Sequence, residues 1–172
     1  MGVKVSFEVQ PFQAVRLIGK EVIVGRKNPV PELWEKVLKD GTNDFLQNMP
    51  ERVSPRGDTI GWMGEYNPRT KEFVYVAGIF ARPGTIVPDG YSYRDIPDCF
   101  MGIGWIQGPT PQLEKGAHVK TEKVMRASGY VPDYSIVGIS MEYYSFDKYA
   151  SVEEDGNNIF TFGYYLPCKK VI

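Results

Sequence analysis

Val3, Val5, Phe7 and Val9 alternate with polar neighbours, the period-two signature of a half-buried strand, and beyond Pro11 a second apolar run extends from Ala14 to Val24. Leu33, Trp34, Val37 and Leu38 then recur at helical spacing behind Pro29 and Pro31, ending near Gly41. The pattern predicts a helix with Trp34 in the core, followed by a short turn capped by Asn43 and carrying Phe45, Leu46 and Met49. Pro50, Pro55, Gly57 and Asp58 mark a loop. Thr59 to Tyr66 and Lys71 to Phe80 read as a hairpin turning at Asn67-Pro68-Arg69-Thr70.

After a turn-rich connector from Arg82 to Gly90 the order recurs. Tyr91 to Ile96 and Cys99 to Gln107 are strand-like around a break at Pro97. Thr110 is placed to cap a helix with Pro111 at its first position, an inner stripe at Leu113, Ala117, Thr121, Val124 and Ser128, and Gly129 as its stop. Ser135 to Phe146 and Ile159 to Leu166 form a second hairpin, joined by an acidic connection, Asp147 to Asn158, that reads as a solvated loop. The motif Gly-x-x-x-Glu-Tyr falls at the same place in both copies, as Gly61 to Tyr66 and Gly138 to Tyr143. One domain over residues 1–172 is therefore expected, with copies at about 1–82 and 88–172.

Strand alternation divides each copy into two faces. Gly61, Met63 and Glu65 share one, as do Gly138, Ser140 and Glu142; Ile60, Trp62 and Tyr66, and Val137, Ile139, Met141 and Tyr143, share the other. On the last strand Thr161, Gly163 and Tyr165 oppose Phe160, Phe162, Tyr164 and Leu166. The apolar faces are expected to meet helices. The faces pairing small residues with a carboxylate leave room for a cleft between the copies. A glutamate there has three readings: an exposed strand-end charge, a countercharge for a cationic apolar ligand among aromatic rings, or a base on water if burial raises its pKa.

Composition removes other classes. The chain has 172 residues, 42% of them hydrophobic, enough for one substantial core. Twenty Lys and Arg against 21 Asp and Glu give a net charge of -1 without a basic stripe, so no direct nucleic-acid binding is expected. No apolar run approaches the roughly 20 residues that span a bilayer, and no signal peptide is apparent, so the chain reads as cytoplasmic with no membrane partner. Met1-Gly2-x-x-x-Ser6 fits an acylation pattern that the strand alternation at Val3, Val5 and Phe7 argues against. Cys99 and Cys168 have no close-spaced partners and read as buried free thiols. His118, the only histidine, lies on a lysine-rich stretch and reads as surface. Gly102-Ile103-Gly104-Trp105 lacks the third glycine of a dinucleotide fingerprint, and no metal or cofactor is expected.

Several segments together resemble the GyrI-like effector-binding domains, which also serve as the ligand-sensing part of multidrug-responsive regulators such as BmrR. They are the hairpin from Ile60-Gly61-Trp62 to Phe73–Gly78, Val87-Pro88-Asp89-Gly90-Tyr91, Ile96-Pro97 leading to Gly108, Met141-Glu142-Tyr143-Tyr144, and Tyr165-Leu166-Pro167-Cys168-Lys169. The resemblance implies an α+β fold of two strand-helix-strand-strand repeats with pseudo-two-fold symmetry, an antiparallel sheet curved around a central groove, and helices on the outer face. It implies a stand-alone binder of bulky apolar, often cationic compounds, with Glu142 as key carboxylate, Tyr165 as a groove tyrosine, and Trp62, Tyr75, Trp105 and Tyr144 as wall residues; the repeated motif adds Glu65 as a further ligand-binding candidate. An alternative is a cofactor-free hydrolase of cyclopropane-bearing electrophiles, with Glu142 activating water assisted by Tyr144 or Tyr165. A third is a gyrase-modulating or other interaction protein, with a protein partner or as a homodimer. The chain departs from the family where a glutamate common in relatives is Gly163, which widens the expected groove, and in the length of loop 147–158, a candidate lid.

Overall fold

The computed structural model describes residues 2–136, 139–152 and 156–172. Three expectations therefore lie outside the described residues: the acylation pattern at Met1, the Val137-Gly138 end of the second motif, and the charges Glu153, Glu154 and Asp155. The chain runs β1 (Lys4–Phe12), β2 (Val15–Val24), α1 (Val30–Lys39), α2 (Thr42–Gln47), β3 (Thr59–Asn67), β4 (Glu72–Ala81), β5 (Ser92–Ile96), β6 (Cys99–Gly108), α3 (Ala117–Ala127), β7 (Tyr130–Pro132), β8 (Ser140–Tyr144), β9 (Ala150–Val152) and β10 (Asn158–Lys170). Among the described residues the strands pair antiparallel in the order β1-β6-β10-β8-β3-β4-β2-β5, with β7 and β9 added along β10.

That order is symmetric about the contact between β3 and β8. The set β6-α3-β8-β10 stands on one side as β2-α1-β3-β4 stands on the other. The edge strands are exchanged, since β1 pairs with β6 and β5 pairs with β2, which interlocks the halves.

The short links explain the curvature. Only Gln13 and Ala14 join β1 to β2, and Pro97-Asp98 joins β5 to β6, although each pair lies six positions apart in the strand order. In a flat sheet six spacings would be roughly 29 Å, whereas such a link spans only about 11 Å. The sheet must curl until its edges approach. Gly19 and Gly78 face each other across β2 and β4 where the two backbones leave no room for a side chain: a Cβ on either would lie 2.1 Å from a carbonyl oxygen of the other strand. The curled interior is filled by Leu17, Ile60, Val76, Met101, Ile103 and Met141, each 0% exposed, drawn from both edges and the middle. Burying each such side chain contributes on the order of 1.5–3 kcal/mol.

The helices cover the outer face. Leu33 and Val37 of α1 pack on Val24, Tyr75 and Ala77. Leu46 of α2 packs with Ile18, Ile79 and Ala81. Ala117 and Met125 of α3 pack with Ile106, Phe162 and Leu166. No helix is long and apolar enough to cross a membrane among the described residues.

Local expectations shift in four places. Pro11 lies inside β1 rather than ending it, which an edge strand tolerates because its outward side needs no ladder donor. Asn43 sits within α2, whose cap is Gly41 at φ 86°. The third helix starts at Ala117 rather than Pro111: residues 109–116 run irregularly, Leu113 is anchored in the core, and Gly116 at φ 69° turns the chain into the helix. Its buried stripe is Ala117, Thr121 and Met125, with Ser128 exposed.

Candidate functional site

β3 and β8 are the middle of the sheet, and Gly61 pairs directly with Glu142 across them. α1 packs on β2 and β4, and α3 on β1, β6 and β10, so β3 and β8 form the floor of the strip between the two helices, the candidate cleft. Alternation along β8 turns Ser140, Glu142 and Tyr144 toward that cleft and Met141 and Tyr143 into the curled interior. This reverses the sequence expectation that the carboxylate face points away from the helices. A curled interior demands continuous apolar filling, which Ile60, Trp62 and Met141 supply, so the strip left uncovered between the helices receives the polar side chains.

Glu142 is held by two tyrosines. The Tyr75 hydroxyl donates to its Oε2 at 2.7 Å and the Tyr144 hydroxyl donates to the same oxygen at 3.1 Å. Trp34 Nε1 in turn donates to the Tyr75 hydroxyl at 2.9 Å. Gly61 makes the first bond sterically feasible, because a Cβ there would lie 1.9 Å from the Tyr75 hydroxyl and 3.0 Å from Glu142 Oε2. The Tyr144 ring sits between Phe162, stacked at 5.8 Å, and Trp34, edge-on at 5.8 Å. Met63 packs against both helix-side clusters.

Burial raises the Glu142 carboxyl above its usual range; the Tyr75 and Tyr144 hydrogen bonds oppose that shift, and the Glu114 charge adds to it. Burial, reinforced by the Glu142 charge, raises the Tyr75 and Tyr144 hydroxyls, so both remain donors at neutral pH. Among the described residues no Lys, Arg or His forms an ion pair with Glu142. A partly buried carboxylate thus sits among aromatic side chains with no ion-pair partner among the described residues.

Of the residues named from sequence, Glu142, Tyr75 and Tyr144 come together; the other four do not join them. Glu65 has a left-handed backbone, φ 58°, at a register shift between Gly64 and Asn67, and its exposed carboxylate pairs with Arg94 at 2.6 Å. Trp62 is 3% exposed in the interior, since the shift comes after it and leaves its alternation intact. Tyr165 is also interior, stacked on Tyr143 at 5.0 Å and edge-on to Trp105 at 6.2 Å. Gly163 pairs with Tyr143 and Trp105, so a glutamate in its place would point at interior rings rather than into the Glu142 cleft.

In register, Tyr164 lies opposite Glu142, and Tyr164 and Phe162 share its face. Trp34, Tyr164 and Phe162 were missed as site residues. Trp34 was legible only as part of an apolar stripe, and Tyr164 depended on a cross-strand register that sequence does not specify. Cys99 and Cys168 are free thiols, each pushed up to about 11 chiefly by burial. Among the described residues no cluster of His, Cys, Asp or Glu is arranged to hold a metal ion.

No protein-family model matches the chain, and no curated protein matches it. Its fold does match solved structures. SAV2435 bound to tetraphenylphosphonium aligns with a TM-score of 0.67 at 10% identity, covering 95% of this chain and 94% of that one. The C-terminal domain of EcmrR aligns at 0.57 and 12% identity, covering 97% and 99%. An integron cassette protein from the mobile metagenome of Vibrio cholerae aligns at 0.57 and 12%, covering 98% and 100%. The chain therefore has the fold of the GyrI-like effector-binding domains, to which its sequence motifs also point.

Proposed function

We propose that this chain binds bulky apolar organic cations in the cleft between α1 and α3, with Glu142 as the countercharge. One observation carries the reading: Glu142 is partly buried among Tyr75, Tyr144 and Trp34 and forms no ion pair with any described cationic side chain. A hard metal cation would need several oxygen ligands, whereas a diffuse organic cation is satisfied by one carboxylate and the negative faces of aromatic rings. SAV2435, which shares the fold, has been solved with such a cation. In this reading a ligand meets the carboxylate beside the Tyr144 ring, which packs against Trp34 and Phe162.

A second reading has its own support. The raised carboxyl of Glu142 suits a general base that activates water against a strained electrophilic ring. Tyr144 is placed to assist, whereas Tyr165, on the other face, is not.

The test is a titration of the protein with tetraphenylphosphonium and with neutral triphenylphosphine oxide, followed by tryptophan fluorescence. A parallel incubation with a cyclopropane electrophile is followed by product mass. Saturable quenching, with Trp34 as reporter, by the cation and much weaker quenching by the neutral compound is the expected result. Equal affinity for both would remove the countercharge, and a water-added product would make the site catalytic.

A further inference from the structure

The α3 side of the cleft carries a second polar arrangement that cation binding leaves unexplained. The Tyr164 hydroxyl donates to Ser140 Oγ at 3.0 Å, and His118 Nδ1 lies 3.3 Å from the same hydroxyl. The His118 ring meets the Tyr164 ring edge-on at 5.8 Å, and its Nε2 lies 3.6 Å from Glu122. His118 stands on α3 much as Trp34 stands on α1: each follows the first buried residue of its helix, Ala117 or Leu33, and each reaches a tyrosine of the sheet. The α1 arm ends on Glu142. The α3 arm ends on Ser140.

The hydrogen bond from Tyr164 to Ser140 sets the direction of this chain. Tyr164 is buried, which pushes its hydroxyl up to about 12, so it keeps its one proton, and its hydrogen bond runs to Ser140. The His118 tautomer that carries its proton on Nδ1 completes the chain by donating to the oxygen of that hydroxyl. Ser140 is left with its own proton, and among the described residues it donates no hydrogen bond. Ser140 and Glu142 share the cleft face two residues apart on β8, a separation of about 7 Å along a strand. The floor therefore presents an acceptor charge and, one strand repeat away, a backed hydroxyl donor.

We infer that Ser140, supported by Tyr164 and His118, is a hydrogen-bond-donating subsite that selects cationic ligands carrying an acceptor oxygen (carbonyl, ether or hydroxyl) about 7 Å from the charge. The inference rests on the cation-binding reading of Glu142 and adds a substrate preference to it. His118 and Tyr164 are positioning residues here, and Ser140 is the one that touches the ligand.

Calorimetric titration with butyltriphenylphosphonium and (4-hydroxybutyl)triphenylphosphonium tests it, since the extended chain of the second sets its oxygen at the required spacing from phosphorus. Wild type is expected to bind the hydroxyl compound about 3- to 10-fold more tightly, the range of a single net hydrogen bond. Ser140→Ala brings that ratio to one, and Tyr164→Phe lowers it. Glu142→Gln weakens both compounds together and preserves the ratio, a split that a merely structural role for Ser140 would not produce. A ratio of one in wild type, with the butyl compound bound, overturns the subsite and leaves the countercharge standing. An unchanged ratio in Ser140→Ala overturns it as well. Failure of wild type to bind either compound overturns the cation-binding reading and the subsite with it.

Discussion

Glu65 and Glu142 close the same Gly-x-x-x-Glu-Tyr sequence in the two halves of one symmetric sheet, yet they end in opposite surroundings. Glu142 keeps the strand alternation, faces Gly61 across β3 and β8, and is gripped by Tyr75 and Tyr144. Glu65 lies where β3 loses register; its left-handed backbone takes it out of the alternation, and Arg94 neutralises it in the open. The motif therefore supplies a carboxylate, and the backbone after it decides whether that carboxylate is buried among tyrosines or paired at the surface. A repeat fold can bury the carboxylate of one copy and leave that of the other in an ordinary surface pair.

The comparison breaks most severely at Gly61. Gly61→Ala places a methyl group against the Tyr75 hydroxyl, which cannot retreat without losing Trp34 or Glu142. A loss of about 1–3 kcal/mol in stability is expected from such overpacking, together with at least a tenfold loss of cation affinity, read by denaturation and calorimetry. Tyr75→Phe comes next. It removes a donor to a buried carboxylate and strands the Trp34 indole, for about 1.5–3 kcal/mol. Tyr144→Phe removes a longer bond and costs about 1 kcal/mol, so the order of the two variants in melting experiments checks which tyrosine holds the charge.

The pH dependence sharpens the same contrast. Because burial raises the carboxyl of folded Glu142 above its unfolded value, folding favours the protonated form. The stability this group contributes is complete below the unfolded value of about 4.3, and it is lost as pH rises through the raised folded value. Wild type measured against Glu142→Gln should show that decline and then a plateau. Cation affinity should climb over the same interval, since only the ionised group is a countercharge. The smallest effects belong to the other copy: Arg94→Met is expected to change stability by less than about 1 kcal/mol, as for exposed ion pairs in general.

Much of this was legible in the chain. Alternation through Gly61-Trp62-Met63 and Ser140-Met141-Glu142 separated the two faces, and the duplicated motif pointed to the central strands. What alternation lacks is sign: it says which residues share a face, not which face the helices cover. Curling of the sheet decided that, and it follows from short links between strands whose partners sequence does not name. The same gap exchanged Tyr165 for Tyr164, because a one-residue difference in register moves a side chain through the sheet. Trp34 was hidden for another reason. An indole at the margin of a helix stripe fills a core and donates a hydrogen bond with the same sequence signature.

Tetraphenylphosphonium affinity of Glu142→Gln and Glu65→Gln, measured side by side against wild type, tests the central claim most directly. The account predicts a loss of about tenfold or more for Glu142→Gln, as expected when a desolvated charge pair is removed, and a change within about twofold for Glu65→Gln. Equal losses in the two variants, or no loss in Glu142→Gln, would contradict it.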